Sequence, residues 1–470
     1  MKLATPLERS GAAEISSAAA IGQCLIELAA ASEGGRLLTL GYSVRGQPLL
    51  GLEFANGERP LPRILLVGSH HGGSEPAGGE ALLAIARSLA QGSLAGLRDL
   101  FDVLIVPDAN PDGRDAGTAR NANGVNLNRD YVLLSQPETR ALNGLLQRWR
   151  PQVVLDAHES ASFKQHTLGK EGYLTDFECQ FDIANHPAIA TEQQALSATL
   201  LKHLLAAVRE RGLPAQRYIR EITSIRRPLT HGGYSISRFR NKAALYGALS
   251  FLLETPMPPK DGAYASHQDL ETRTAKQRLC IETFLQVMAR EVGCLGDERH
   301  WQPPRAGAAI ALSARYVPAG PERIEWLRMR RYPDLDFIDV PFADRRWLKA
   351  ETLSPLPAAY FLTHHTPAFA SALLAHGLVA ETLERPLRCE VLSTTAQPPA
   401  VTWGLFRGHT RSETLSLEAG SLKFSTAQPF GRLLPVLLEF ASPSSLFQYP
   451  TYRRLVTTDE RHFVFSALGH

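Results

Sequence analysis

Short runs of consecutive apolar residues alternate with stretches of helical periodicity along the first 300 residues. The apolar runs are residues 63–67, 103–106, 153–156 and 249–253, and the helical stretches are 12–31, 76–90, 137–149, 185–208 and 267–289. Unbroken apolar runs are typical of strands that are buried on both faces of a sheet. Residues 37–40 and 49–54 add a β-hairpin. The pattern therefore predicts an α/β fold with a mixed, largely parallel sheet flanked by helices.

The pattern changes after residue 300. Residues 301–307 are typical of a linker, and beyond them alternating segments predict strands at 308–315, 322–331, 388–395, 401–406 and 414–424. Residues 366–380 predict a helix, and the apolar residues 435–440 predict one more strand. We therefore predict a first domain over residues 1–300 and a smaller β-rich α+β domain of unknown role over residues 306–470.

Composition and charge exclude several classes of protein. The 470 residues carry a formal net charge of +3, too little to indicate a nucleic-acid partner. No apolar stretch approaches the roughly 20 residues needed to span a bilayer, and the N-terminus lacks the apolar core of a signal peptide. Five widely spaced cysteines without a CxxC pair argue against a disulfide framework and against a thiolate zinc site. We expect a cytoplasmic protein with no membrane partner, and nothing in the sequence specifies its oligomeric state.

Potential metal ligands follow three of the predicted strands. His70, His71 and Glu75 come after the first strand, His158 after another, and Glu254 after the last. Strands of one parallel sheet bring their carboxyl ends to the same edge, where such folds bind ligands. A histidine and a glutamate close in sequence, with one distant histidine, are the kind of set that holds catalytic zinc.

Five segments, in order, resemble the M14 family of zinc carboxypeptidases. They are GSHHGGSEPAG at 68–78, NPDG at 110–113, RNANGVNLNR at 120–129, LDAHE at 155–159 and FLLET at 251–255. The resemblance covers roughly residues 1–290. It implies a carboxypeptidase-like fold, with the catalytic domain in residues 1–300 and an accessory domain in residues 306–470.

The resemblance also implies a ligand set and a mechanism. His71, Glu75 and His158 would hold one Zn²⁺ per chain. Glu254 would be the general base toward a zinc-activated water. Arg120 would stabilise the oxyanion.

The same resemblance implies how a peptide substrate is bound. Asn128 and Arg129 would bind the terminal carboxylate of the peptide, which is the bidentate recognition that arginine favours. Tyr234, preceded by two glycines, would be the tyrosine on a mobile loop over the substrate. Tyr246 is the rival, but its place beside a buried strand favours core packing.

Two departures from the family pattern lie near the first ligand. Three residues rather than two separate His71 from Glu75, so Gly72 and Gly73 would absorb the extra residue as a bulge, or else His70 would be the ligand. Asn126 stands where the family has an aspartate that orients the first histidine. An asparagine brings no charge, so zinc should bind less tightly.

Three functions remain open at this point. The first is a zinc metallocarboxypeptidase that hydrolyses C-terminal residues of peptides. The second is a zinc-dependent N-acyl amino acid deacylase or amidase. The third is a weak or inactive protein that binds peptide C-termini through Arg129.

Overall fold

The computed structural model describes residues 3–55, 57, 60–160, 169–257, 268–295, 303–318, 320, 323–363, 367–397, 407–455 and 464–467. The helices are α1 Pro6–Arg9, α2 Ala18–Ala30, α3 Ala77–Gln91, α4 Pro111–Asp115, α5 Pro137–Trp149, α6 Thr191–Glu210, α7 Phe239–Leu245, α8 Leu270–Arg290, α9 Pro367–Ala375, α10 Leu433–Leu438 and α11 Pro450–Arg453. Within this described part of the chain, no helix has both the length and the apolar character needed to cross a bilayer.

The strands fall into four sheets. Those of the first part of the chain are β1 Gly35–Tyr42, β2 Pro48–Phe54, β3 Arg63–Gly68, β4 Asp102–Val106, β5 Val153–Ser160, β6 Tyr173–Thr175, β7 Cys179–Ile183, β8 Ala215–Arg217 and β9 Leu249–Pro256. Those of the second part are β10 Ala309–Val317, β11 Ile324–Arg331, β12 Asp336–Ala343, β13 Trp347–Pro355, β14 Ala359–Leu362, β15 Glu381–Thr382, β16 Leu387–Gln397, β17 Arg407–Leu417, β18 Leu422–Ser425 and β19 Val464–Ala467.

The largest sheet has eight strands in the order β1-β2-β4-β3-β5-β9-β7-β8. The pairs β3–β4, β3–β5, β5–β9 and β7–β8 are parallel, whereas the hairpin β1–β2 and the pairs β2–β4 and β7–β9 are antiparallel. Helices α2, α3, α6 and α8 pack on one face of this sheet, and α5 and α7 pack on the other. The predicted mixed, largely parallel sheet flanked by helices is confirmed.

The second part of the chain is rich in small sheets, as predicted. Strands β10 and β13 form one pair, β12-β11-β6 a second sheet, and β15-β18-β14-β19-β16-β17 a third. Strand β6 belongs to the first part of the chain, and the hydrophobic core around α5 and α7 includes Tyr360, Phe369 and Leu437 from the second part. The two parts therefore share one core. The division at residues 300–306 stays a prediction, and residues 296–302 lie outside the described ranges.

Two predicted strands of the second part differ in the structure. Residues 435–440 are not a strand, because Leu433–Leu438 forms helix α10, and a short buried apolar run does not distinguish the two. The strand predicted at 414–424 is divided into β17 and β18 by a turn at Gly420, whose φ is +88°. The strand predicted at 401–406 lies outside the described residues.

Candidate active site

Three neighbouring parallel strands, β3, β5 and β9, carry the predicted site residues at their carboxyl ends. His158 on β5 is directly opposite Glu254 on β9. Because side chains alternate along a strand, Asp156 and His158 point to the same face of the sheet. The sequence suggested that His158 and Glu254 follow their strands. In the structure both residues lie within the last residues of β5 and β9 instead.

The turn after β3 absorbs the extra residue of the sequence. Residues Gly72–Ser74 form one 3₁₀ turn, with Gly72 at φ +48°. A Cβ on Gly72 would lie 2.5 Å from the carbonyl carbon of Gly113, so any other residue here would force the backbone to shift. The result is a compact turn, not the predicted bulge, and it places the Nδ1 of His71 2.6 Å from an oxygen of Glu75.

His71, Glu75 and His158 form a group able to hold a cation. Their potential ligand atoms all lie within 4.8 Å of one another, and the second oxygen of Glu75 is 3.0 Å from the Nδ1 of His158. Burial opposes ionisation of Glu75, but the two histidines outweigh it and hold the pKa of this carboxyl below its ordinary value. Burial likewise opposes protonation of His158, yet Asp156 and Glu75 raise the pKa of its imidazole. Two imidazoles on one carboxylate are the donor set of a catalytic zinc site, so these residues fit the metal.

His70 is held differently from His71. Its side chain is fully buried, with Nδ1 2.8 Å from Asp156 and Nε2 2.8 Å from the hydroxyl of Tyr131. His70, Asp156 and His158 also lie close enough to one another to hold a metal ion. However, both nitrogens of His70 are already paired with protein groups, whereas the buried Nε2 of His71 has no hydrogen-bond partner among the described residues. The geometry favours His71 over His70 as a ligand.

Asp156 places its carboxylate between His70 and His158. One of its oxygens contacts His70, and the other is 2.9 Å from the Nε2 of His158. Histidines that bind metals commonly contact a carboxylate through the nitrogen that faces away from the metal. Sequence reasoning gave Asp156 no role, although it lies two residues before His158 in the LDAHE segment.

Glu254 faces the same space. Burial raises the pKa of its carboxyl to about 8, and Glu75 adds to the shift while His158 opposes it. Its buried Oε2 has no hydrogen-bond partner within the described ranges. A carboxyl with this pKa changes protonation state close to neutrality, as a general base and acid must.

His71, His158 and Glu254 all border one cavity. Its lining residues are His71, Asn128, Arg129, Asp156, His158, Tyr218, Gly232, Arg238, Arg240, Leu252 and Glu254. Asn128 and Arg129, the predicted substrate-binding pair, are among these residues. Asn128 contacts the Nε2 of His158 at 3.1 Å and accepts the backbone N–H of Phe239, so it connects strand β5 to helix α7. Arg129 is exposed at the cavity.

Several residues singled out in the sequence do not line the cavity, among them Glu75, Arg120, Asn126 and Tyr234. Arg120 is exposed and donates to the carbonyl of Gly124. The hydroxyl of Tyr234 accepts the backbone N–H of Ala314 on β10. The buried side-chain oxygen of Asn126 has no partner among the described residues, so the implied hydrogen bond to His71 is not formed. Tyr246 is buried in the core, as expected.

Sequence reasoning missed Tyr218, Arg238 and Arg240. Tyr218 and Arg238 come from the stretch between β8 and α7, which has no strand or helix periodicity to place it against the sheet, and Arg240 follows in the first turn of α7. The signal that was available is chemical: arginines occupy positions 226, 227, 238 and 240, close to the predicted substrate tyrosine.

Comparison with known proteins agrees with this geometry. Residues 22–191 match the family model described as zinc carboxypeptidase. Probable carboxypeptidase 2 of Arthroderma benhamiae is 30% identical over 231 residues, which are 48% of this chain and 42% of that protein. Carboxypeptidase E of Caenorhabditis elegans is 35% identical over 117 residues, 20% of this chain and 25% of that protein. The chain thus spans less than half the length of these curated relatives.

A metallo-carboxypeptidase from Burkholderia cenocepacia is among the similar solved structures. It has 18% identity and a TM-score of 0.45, over 57% of this chain and 69% of that one. The matched segment 22–191 contains the turn after β3, the RNANGVNLNR segment and strand β5, so it includes His71, Glu75 and His158. Residues 22–191 are therefore similar to the zinc carboxypeptidase family.

Proposed function

We propose that the chain is a zinc-dependent carboxypeptidase that releases the C-terminal residue of a peptide. One observation carries the proposal: the two histidines of the His71–Glu75–His158 group border the same cavity as Glu254 and Arg129. A metal-binding group next to a base and a guanidinium is what hydrolysis of a terminal peptide bond requires. We propose one Zn²⁺ per chain, held by His71, Glu75 and His158. When bound there, it would supply Lewis-acid activation of the scissile carbonyl and of water.

In this proposal Glu254 moves the proton. Its carboxylate would accept a proton from the attacking water and deliver it to the departing amine. The raised pKa of Glu254 suits both halves of this transfer, because neither protonation state is strongly favoured near neutral pH. Its position opposite His158 keeps it beside the metal group through both steps.

Arg129 and Asn128 would orient the peptide. The guanidinium of Arg129 would bind the terminal carboxylate, which fixes the last peptide bond relative to Glu254. Asn128 would support this arrangement, since its contacts with His158 and the backbone of Phe239 fix its amide.

We propose that Arg120 and Tyr234 contact the substrate only after a peptide has bound. The exposed Arg120 would leave the carbonyl of Gly124 to donate to the oxyanion. Tyr234 would leave Ala314 to close over the substrate. Under this hypothesis, Arg120→Gln lowers kcat more than it raises KM, because its contact exists only in the transition state.

Activity assays on the zinc-loaded protein test the proposal. The panel comprises peptides with a free C-terminus, the same peptides amidated, and N-acyl amino acids. We expect cleavage of the free peptides, with Glu254→Gln reducing kcat at least about 100-fold and the exposed Glu210→Gln serving as the matched control.

Other results on this panel would replace the proposal. Cleavage of N-acyl amino acids alone would identify a deacylase. Peptide binding without cleavage by the zinc-loaded protein would identify a binding protein. The cytoplasmic location and the absence of nucleic-acid or membrane partners stay predictions from the sequence.

A further inference from the structure

The cavity contains more positive charge than a single terminal carboxylate needs. Arg129, Arg238 and Arg240 all line it. Arg240 is buried and compensated, because its guanidinium is 3.3 Å from Asp182. Arg129 and Arg238 donate instead to the carbonyl oxygens of Asn128 and Gly232, each at 2.6 Å. Within the described ranges, no carboxylate lies within 4 Å of either of these two guanidiniums.

Arg238 is the less solvated of these two arginines, and Arg129 additionally senses the charges of Glu75 and Glu254 at longer range. Its side chain is half-buried, and burial together with the neighbouring charges of Arg129 and Arg240 lowers its pKa to about 10. A partly desolvated cation beside two others is costly unless an anion joins it.

The backbone around Arg238 directs its guanidinium at the cavity. Gly232 accepts from one terminal nitrogen, and Gly233, at φ +91°, would place a Cβ 3.5 Å from the other. Arg238 is also the N-cap residue of α7, so its backbone is anchored by that helix. The donor is therefore fixed in position before any substrate arrives.

We infer that Arg238 determines specificity by binding a second carboxylate, on the side chain of the residue to be released. This inference rests on the proposed function, in which Arg129 binds the terminal carboxylate. The substrates would then be peptides that end in glutamate or aspartate. A guanidinium recognises a carboxylate through two parallel hydrogen bonds, and a neutral amide offers only one acceptor to the same fork.

The test uses isosteric pairs of substrates. We would measure kcat/KM of the zinc-loaded protein for one peptide ending in Glu or Gln, and for a second ending in Asp or Asn. The expected preference for the acidic residue is about 10- to 100-fold, as for other charge-assisted recognition. In Arg238→Gln the ratio should fall to within about twofold of unity. Arg238→Lys, which retains the charge but not the fork, should give an intermediate ratio.

Arg226→Gln is the matched control, since it removes one positive charge from an exposed position of the same stretch. It should keep the wild-type preference. A wild-type ratio near or below unity would overturn the inference. An Arg238→Gln variant that loses activity equally on both members of each pair would also overturn it, because the arginine would then act on the reaction or the fold.

A binding measurement separates this inference from the proposed function. Calorimetry with free L-glutamate and L-glutamine measures the contribution of Arg238 to binding affinity without any turnover. A protein that cleaves no peptide but binds glutamate at least tenfold more tightly than glutamine, only while Arg238 is present, would refute the carboxypeptidase proposal and support the specificity. Equal binding of the two amino acids would refute the specificity even in an active enzyme.

Discussion

Replacing each of the two adjacent histidines by alanine tests the choice of metal ligand. The two side chains are neighbours in sequence but have opposite environments. His70 is fully buried and paired at both nitrogens, whereas the side chain of His71 is 15% exposed and its Nδ1 contacts Glu75. Replacing His70 should mainly lower the stability of the fold, whereas replacing His71 should mainly weaken metal binding.

The structure sets the expected magnitudes. His70→Ala leaves the buried carboxylate of Asp156 and the buried hydroxyl of Tyr131 without their partner, and it opens a cavity. Breaking a buried pair of this kind lowers the free energy of unfolding by about 3–5 kcal/mol. His71→Ala should lower the metal-free value by only about 1 kcal/mol, because one partly exposed contact is lost.

Zinc should reverse the order of the two variants in free energy of unfolding. A ligand present at about 1,000 times its Kd adds about 4 kcal/mol to the free energy of unfolding. Wild type and His70→Ala should both gain such an increment, from different starting values. His71→Ala should gain almost nothing, since it lacks one of three ligands.

Urea denaturation with zinc and with chelator, combined with elemental analysis after dialysis, measures both effects. The control is His203→Ala, an exposed histidine paired with Glu291 on the surface. The assignment is wrong if His71→Ala retains one zinc per chain while His70→Ala loses it without a loss of metal-free stability.

Three further predictions concern the scaffold of the site. Asp182→Asn should lower the free energy of unfolding by about 3–5 kcal/mol in denaturant titrations, because the buried Arg240 loses its carboxylate; an unchanged midpoint would mean that the pair contributes nothing. Lys242 is fully buried against His376, and burial lowers the pKa of its ammonium well below the ordinary 10.5. The unfolded chain therefore binds the extra proton at neutral pH, and stability should rise as the pH increases towards 10. Lys242→Met should remove this slope in titrations at pH 7 and pH 9.5, and an equal slope in both proteins would contradict the assignment. Gly72→Ala should cost about 1–3 kcal/mol and reduce zinc content, since its Cβ would collide with backbone; normal stability and one zinc per chain would show that the turn adapts.

The sheet and the metal group could be predicted from sequence because both are encoded locally. Strands β3, β4, β5 and β9 each contain a short run of mostly apolar residues, which is typical of a strand that is buried on both faces. The candidate ligand residues lie at or just after the carboxyl ends of these strands, so the predicted strands also indicated where the candidates are.

Other parts of the structure depend on contacts that are distant in sequence. Strand β13 is almost wholly exposed, so its residues give no apolar alternation to detect. Arg238 ends the long connection between β8 and α7, and Arg240 follows it in α7. The course of this connection depends on contacts with the second part of the chain, such as those of Leu229 with Asp344 and of Ile236 with Ser444. The compact turn at Gly72 follows from its contact with Gly113, a partner 41 residues away that no local pattern reveals.

Asn126 stands where the family pattern has an aspartate, so this position supplies no negative charge. The carboxylate of Asp156 still places a negative charge next to the metal group. The side-chain oxygen of Asn126 makes no hydrogen bond within the described residues, while the carboxylate of Asp156 contacts both His70 and His158. A carboxylate in this position raises the basicity of a ligand histidine and fixes its ring. The histidine held most firmly is therefore His158 on a central strand, and not His71 on the turn. Weaker zinc binding from the change at position 126 should then appear as a less firmly oriented His71, and an Asn126→Asp variant should increase zinc affinity by about 10- to 100-fold in a competition assay with a chromophoric chelator. Unchanged affinity would mean that Asp156 alone orients the group.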